Sequence, residues 1–328
     1  MRIWVAALLG LVTSVASAAD RASKDPALAY PSRPVRIIIT VVPGGGADVT
    51  ARAIGQKLTE AWGQQAIVDN RPGGNGVVGM DIAAHATPDG HTLVIGTIGP
   101  VAVNPSLYSK LPYDSLKDYA PVTRAVSALN VLVVHPSVPA KSVKELIAHA
   151  KANPGKVTYG SSGVGFADHL AGELFSLLAG VKMNHVPYKG GAPAMIDLVG
   201  GNIQLIFATV STALASMQAG RIRPLAVTSA KRVERFSELP TVAEAGVPGF
   251  AVDNWYGVLA PRGTPKPIVV KLHGKINEIL GMPDVKERLA GLGIFPFTTP
   301  TPEAFGDYIQ SEIVKYRKVV KDSGIRVD

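Results

Sequence analysis

The feature that most constrains this chain is a glycine-rich turn that occurs twice, each time after an apolar run and before a helical pattern. The first copy, Pro43-Gly44-Gly45-Gly46-Ala47-Asp48, follows Val35-Arg36-Ile37-Ile38-Ile39-Thr40-Val41-Val42. The second, Gly160-Ser161-Ser162-Gly163-Val164-Gly165-Phe166-Ala167-Asp168-His169, follows Lys156-Val157-Thr158-Tyr159. Glycine permits positive φ and a close backbone approach to a ligand, and the first N–H groups of the helix that follows have no intrahelical acceptor. Such helix starts attract anions. With one copy in each of two lobes, the pair is expected to close on a single carboxylate-bearing molecule.

Short apolar runs alternate with helical periodicity along the rest of the chain, which predicts an α/β fold with largely parallel strands. Strands are predicted at Val35–Val42, Ala66–Asp69, Thr92–Gly96, Val131–His135, Val157–Gly160, Asn184–Val186, Ile203–Ala208, Pro224–Thr228 and Val258–Ala260. Ala51, Ile54, Leu58, Ala61 and Trp62 share one face of a helix after the first turn, and Leu170, Leu174, Leu177 and Leu178 one face after the second. Ser142 to Glu145 reads as a capping box, and Thr301-Pro302 opens a last helix that should end at Gly324. Residues 118–135 and 250–261 are strand-like without an adjacent helix. They are the expected crossings between lobes, making a discontinuous lobe of 30–130 with 254–328 and a second lobe of 131–253.

Residues 1–18 read as a secretory signal, with Arg2, an apolar stretch from Ile3 to Val15 and the small-residue site Ala16-Ser17-Ala18. The chain contains no cysteine, which excludes disulfides and a lipidated N-terminal Cys. An exported, unanchored, periplasmic protein is expected. Of the 328 residues, the remainder suffices for two lobes each with its own core. The net charge of +8 is spread evenly and not gathered on one face, so no nucleic-acid partner is expected.

Enzymatic signatures are missing. No Gly-Lys-Ser or Gly-Lys-Thr ends a phosphate loop, Val49 stands where a dinucleotide fingerprint needs its third glycine, and Gly160-Ser161-Ser162-Gly163 is not a nucleophile elbow. The 7 histidines lack metal-ligand spacing. Neither a cofactor nor a catalytic residue is expected.

In order along the chain stand Tyr30-Pro31-Ser32-Arg33-Pro34-Val35, Pro43-Gly44-Gly45 with Asp48, Asn70-Arg71-Pro72-Gly73-Gly74-Asn75-Gly76 and Pro88-Asp89-Gly90-His91-Thr92-Leu93. They are followed by Tyr159-Gly160-Ser161-Ser162-Gly163 with His169-Leu170, then Val186-Pro187-Tyr188-Lys189-Gly190-Gly191 and Leu239-Pro240-Thr241-Val242-Ala243-Glu244-Ala245-Gly246. This series resembles the substrate receptors of tripartite tricarboxylate transporters, the Bug family, from Tyr30 almost to the C-terminus. The resemblance implies a two-lobed periplasmic binding protein of class II type, each lobe a mixed, mainly parallel sheet flanked by helices. It also implies small carboxylates or amino-acid-like molecules as ligands and membrane transporter subunits as partners; a monomer is expected, with a ligand-responsive sensor for a signalling kinase or an exported enzyme on the same architecture as the alternative readings. Phe166 and Gln204 depart from the family's common pattern, and a phenyl ring turned inward at 166 would narrow or dry the pocket.

The resemblance places ligand contacts at Gly44, Gly45, Gly46, Ala47 and Asp48 of the first turn, and at Ser161, Ser162, Gly163 and Gly165 of the second. Neither turn carries Arg or Lys, so backbone N–H groups and helix dipoles must hold the anion. Asp48 is expected to cap its helix, with contact to a ligand amine as the alternative. His169 is expected to be neutral and to order its loop. Thr97 lies at a strand end where α/β sheets bind ligands. Asp197 faces either cleft or solvent, and Tyr188, Trp255 and Tyr256 are assigned to core packing ahead of the cleft.

Overall fold

The computed structural model describes residues 25–323; the expected leader and Gly324 lie outside them. The N-terminal part of the first sheet is formed by β1 (Val35–Ile39), β2 (Ala66–Asn70) and β3 (Thr92–Thr97). The long strands β4 (Tyr119–Ala128) and, much later, β10 (Asn254–Pro261) and β11 (Ile294–Pro296) complete it. The second sheet comprises β5 (Asn130–Val134), β6 (Thr158–Ser161), β7 (Asn184–Pro187), β8 (Leu205–Thr209) and β9 (Arg223–Val227). Spatial order is β11-β4-β10-β3-β1-β2 in the first and β7-β6-β8-β5-β9 in the second.

Most strands share a direction, but not every neighbour pair is parallel. β1 pairs parallel with β2 and β3, whereas β10 inserts antiparallel between β3 and β4, and β11 is antiparallel to β4. In the second sheet β6 is parallel to β7 and β8, and β5 is antiparallel to β8 and β9. Two of the reversed strands, β5 and β10, arise where the chain passes between sheets, because a strand entering from the other lobe arrives without a crossover helix to restore its direction.

Among the described residues ten helices flank the sheets: α1 (Gly46–Trp62), α2 (Val77–Ala84), α3 (Asn104–Leu107), α4 (Val143–Ala152) and α5 (Ala167–Ala179), then α6 (Gly191–Val199), α7 (Val210–Gln218), α8 (Lys266–Gly281), α9 (Pro283–Ala290) and α10 (Pro302–Ser323). Ser142 Oγ accepts the Glu145 N–H at the start of α4, and Thr301 Oγ1 accepts the Ala304 N–H at the start of α10. On α1 the apolar face buries Ala51, Ile54 and Leu58 as its spacing predicts. On α5 Leu170 is buried as expected, along with Asp168, Ala171, Gly172 and Phe175, while Leu177 and Leu178 are exposed. Small residues explain that rotation: Gly172 lets Tyr159 lie against the helix, a position where a Cβ would stand 2.2 Å from the ring.

β4 falls within the strand-like crossing expected at 118–135, although Pro121, Thr123 and Arg124 interrupt its apolar run. Arg124 is nevertheless buried, paired with Asp253 at 2.6 Å and lying over the Phe297 and Tyr308 rings. The three-residue β11 is too short to carry a periodicity.

β4 passes into β5 through the single residue Leu129. Its N–H donates to Gly293 O and its C=O accepts from Val210 N, so it is fixed from both sides. The return crossing lies beside it, with Asn254 Nδ2 bonded to Asn130 Oδ1 at 2.9 Å. Each lobe has a buried cluster of its own, around Ile37 and Leu272 in the first and around Val131 and Ile206 in the second; a third runs from Val94 and Trp255 by the first sheet to Leu132 and Phe207 by the second. Burying each such side chain contributes about 1.5–3 kcal/mol, so the hinge side of the molecule is part of the core.

Candidate functional site

Both glycine turns leave the C-terminal end of a strand and enter a helix, and the two helix starts meet across the gap between the sheets. In the first turn Gly44 has φ +92°, the left-handed region open to glycine. Its N–H donates to Asp48 Oδ2 at 3.1 Å. Asp48 also takes Arg52 in a two-point pair and Asn70 Nδ2 at 3.0 Å. Burial alone would raise this carboxyl, but the bonds from Arg52, Gly44 and Asn70 outweigh it and hold the group below the usual carboxylate range. Asp48 is therefore engaged by its own loop. The first intrahelical bond of α1 is Val49 N–H to Gly45 O, leaving the N–H groups of Gly46 and Ala47 without an intrahelical acceptor.

The second turn differs from its expected form. Ser162 N–H and Oγ both donate to Asp168 Oδ2, Gly163 N–H to Ser161 Oγ, Gly165 N–H to His169 Nδ1 and Phe166 N–H to Gly163 O. These backbone donors of the turn are thus consumed inside it. The first bond of α5 is Leu170 N–H to Phe166 O and His169 N–H turns to Asp168 Oδ1, while the Asp168 N–H bonds its own carboxylate, so the donor left over belongs to Ala167. Each lobe therefore offers an Ala-Asp helix start: Ala47-Asp48 on α1 and Ala167-Asp168 on α5.

Two further helices end on the same space. A chamber of about 60 Å³ is lined by Gly45, Gly46 and Ala47 from α1's start, Ser162, Phe166, Ala167 and Asp168 from α5's, Gly191 and Ala192 from α6's, and Thr209 and Thr212 from α7's. Thr97, Asn130, Asn254 and Tyr256 complete it. Among the described residues no Lys, Arg or His lines it. Thr97 Oγ1 is buried without a hydrogen-bond partner. Gly46 is required by close approach, since a Cβ there would stand 2.7 Å from Tyr256 Oη. Burial first, then the nearby Asp168, hold the Tyr256 hydroxyl above its ordinary pKa against the bond from Asn254, and it stays protonated as a donor.

Val41, Val42, Ser162, Phe166 and Gly190 are walls shared with an outer vestibule of about 590 Å³. Pro72, Asn75, Tyr108, Gly163, Tyr188 and Lys189 also line that vestibule. Phe166 thus borders both spaces. By the measure of about 15 Å³ per water, the inner chamber takes a few waters or one carboxylate head, and the vestibule takes a tail.

Of the residues singled out in the sequence, Gly45, Gly46, Ala47, Thr97 and Ser162 line the chamber and Gly163 the vestibule. Gly44 and Asp48 form the turn behind it. Ser161, Gly165 and His169 sit behind the second turn: Ser161 Oγ bonds His185 Nε2 at 2.6 Å, and the His169 and His185 rings stack 4.0 Å apart. Burial, and for His169 also the neighbouring His185, push these imidazoles down to about 3 and about 4, so both are neutral. Asp197 lines neither space; it accepts the Tyr188 hydroxyl at 2.6 Å and holds that ring at the vestibule wall. Tyr256 lines the chamber, where core packing was expected ahead of the cleft. Asp168 and the starts of α6 and α7 were missed; the repeated Ala-Asp pair signals the first, and Gly190-Gly191 before Pro193 the second.

Comparison with known proteins agrees with this geometry. A family model described as the tripartite tricarboxylate transporter family receptor matches residues 50–325. Protein BugT of Bordetella pertussis is 37% identical over 322 residues, covering 98% of each chain. The solved structure of R. palustris Rpa4515 with adipate is 38% identical with a TM-score of 0.88, covering 90% of this chain and 99% of that one. MatC from Rhodopseudomonas palustris with bound malate is 30% identical with a TM-score of 0.83, covering 89% and 100%.

Proposed function

The chain belongs to the tripartite tricarboxylate transporter receptor family, and from that premise we propose that it is a periplasmic receptor for a small organic carboxylate, working as a monomer that hands its ligand to membrane subunits. The observation that carries this reading is the convergence of four helix N-termini on one chamber that also holds the unpartnered Thr97 hydroxyl. Each helix start contributes about 0.3–1 kcal/mol to an anion at the surface, and up to about 2 kcal/mol where water is excluded. Adipate and malate in the two similar structures are carboxylates of the size that a head chamber and a vestibule would accept together.

In this mechanism the ligand touches α1 from one lobe and α5, α6 and α7 from the other only when the lobes are together. It therefore binds the closed form better and shifts the population toward it. The residues serve binding rather than turnover, since neither the His169 nor the His185 imidazole lines the chamber.

The test is a thermal-shift panel of carboxylates with mass spectrometry of the protein under native conditions. A ligand at one hundred times its Kd should stabilise by about 2.7 kcal/mol. A flat panel, or chemical conversion of the bound compound, would overturn the proposal.

A further inference from the structure

The chamber holds an anion-binding array, yet one of its walls is itself an acid. Asp168 is 5% exposed, and no cationic side chain lines the space it shares with the proposed ligand head. Asp168 Oδ2 is filled by the Ser162 N–H and Oγ, whereas Oδ1 receives the His169 N–H, and the Asp168 N–H also bonds the carboxylate. No side-chain donor occupies Oδ1. Two carboxylates enclosed together without a counter-charge repel strongly, and one proton shared between them removes that repulsion.

Resting on the receptor reading, we infer that a ligand carboxylate enters this chamber together with one proton from solvent, which Asp168 takes on Oδ1 and donates toward the ligand oxygen. The step converts Asp168 from carboxylate to carboxylic acid and leaves the ligand ionised, so no other group changes state. The titratable groups facing Asp168 are the Tyr256 hydroxyl on β10, the Tyr159 hydroxyl on β6, and His169 and Glu173 on its own helix, with His185 of β7 stacked behind His169. None supplies a positive charge: burial keeps both phenols protonated and both imidazoles neutral. Burial pushes the empty protein's Asp168 up to about 6, against the pull of its bonds to Ser162 and His169, so the group is poised to take a proton near neutrality. A ligand ammonium is the alternative partner for Asp168, but four helix N-termini aimed at the same space oppose a cation.

The experiment is calorimetric titration of the full protein with acetate, adipate, malate and benzoate, in buffers of different ionisation enthalpy, from pH 5 to pH 8. Uptake approaching one proton per carboxylate bound at pH 7, with affinity falling up to tenfold per pH unit above about pH 6, is the expected result. Binding with no proton uptake and no pH dependence overturns the proton step and leaves the receptor reading standing. Absence of binding by any of the four at every pH removes both. In a parallel titration with aspartate, binding without proton uptake where malate fails overturns it by assigning Asp168 to an ammonium. Asp168→Asn should bind adipate with pH-independent affinity, at least tenfold tighter than the parent at pH 8; the buffer comparison on the unsubstituted protein stands even if that variant folds poorly.

Discussion

Asp48 and Asp168 occupy matching places on α1 and α5 and respond to pH in opposite directions. Asp48 is held below its ordinary pKa by Arg52, Gly44 and Asn70 despite its burial, so its contribution is present at neutral pH and is lost as pH falls below about 4. Asp168 is raised to about 6, so the folded state binds more protons than the unfolded one between about 4 and 6, and stability falls as pH rises through that window. Melting curves from pH 3 to 8 should therefore show Asp48→Asn flattening the acid limb and Asp168→Asn flattening the slope between pH 4 and 6. Thr97 gives a second residue-scale prediction. Its hydroxyl is buried and unpartnered, so Thr97→Val should leave the empty protein as stable or raise it by about 1 kcal/mol, while weakening carboxylate binding about tenfold. A loss of stability with unchanged affinity would make Thr97 a structural residue.

At the scale of elements, the first βα turn and α5 make separate predictions. Gly45 lines the chamber, has φ −85°, and has nothing within 4 Å of where a Cβ would stand. Gly45→Val should therefore fold normally and fill the chamber, abolishing the ligand-induced rise in melting temperature. On α5, Phe175→Ala should cost about 3–5 kcal/mol and Leu177→Ser no more than about 0.5 kcal/mol in urea unfolding, because the first empties a buried site and the second lies on the exposed face. The spacing of Leu170, Leu174, Leu177 and Leu178 points to the opposite ranking. Periodicity ranks faces by how apolar they are, and here a less apolar stripe won because Ala171 and Gly172 admit a close neighbour that leucine would exclude.

For the molecule as a whole, function rests on two crossings that lie side by side. Leu129 and the Asn130–Asn254 pair join the sheets through interior strands, and the two asparagines also line the chamber where the lobes face each other. In this closed arrangement Gly190 comes within reach of Val42, where a Cβ would stand 2.5 Å away. Solution scattering should show a larger radius of gyration for the ligand-free protein and a decrease when adipate is added to saturation. An unchanged radius would mean that the lobes are locked by the cluster that joins their cores.

The sequence by itself determined what is local: the strand–turn–helix units around Gly44–Gly46 and Gly163–Gly165, the capping at Ser142 and Thr301, and the lack of any side-chain cation in either turn. Each follows from a few neighbouring residues whose dihedral and hydrogen-bonding limits do not depend on the rest of the chain. Tertiary structure alone decided which donors stay free, that the starts of α6 and α7 join the chamber, that Arg124 and Asp168 are buried, and that Ser161, His169 and Asp197 stand behind the walls. Those outcomes depend on which strands become neighbours and how two lobes meet. Pairing and desolvation between residues far apart in sequence leave no periodicity in the chain, so burial and hydrogen-bond competition at the contact settle them.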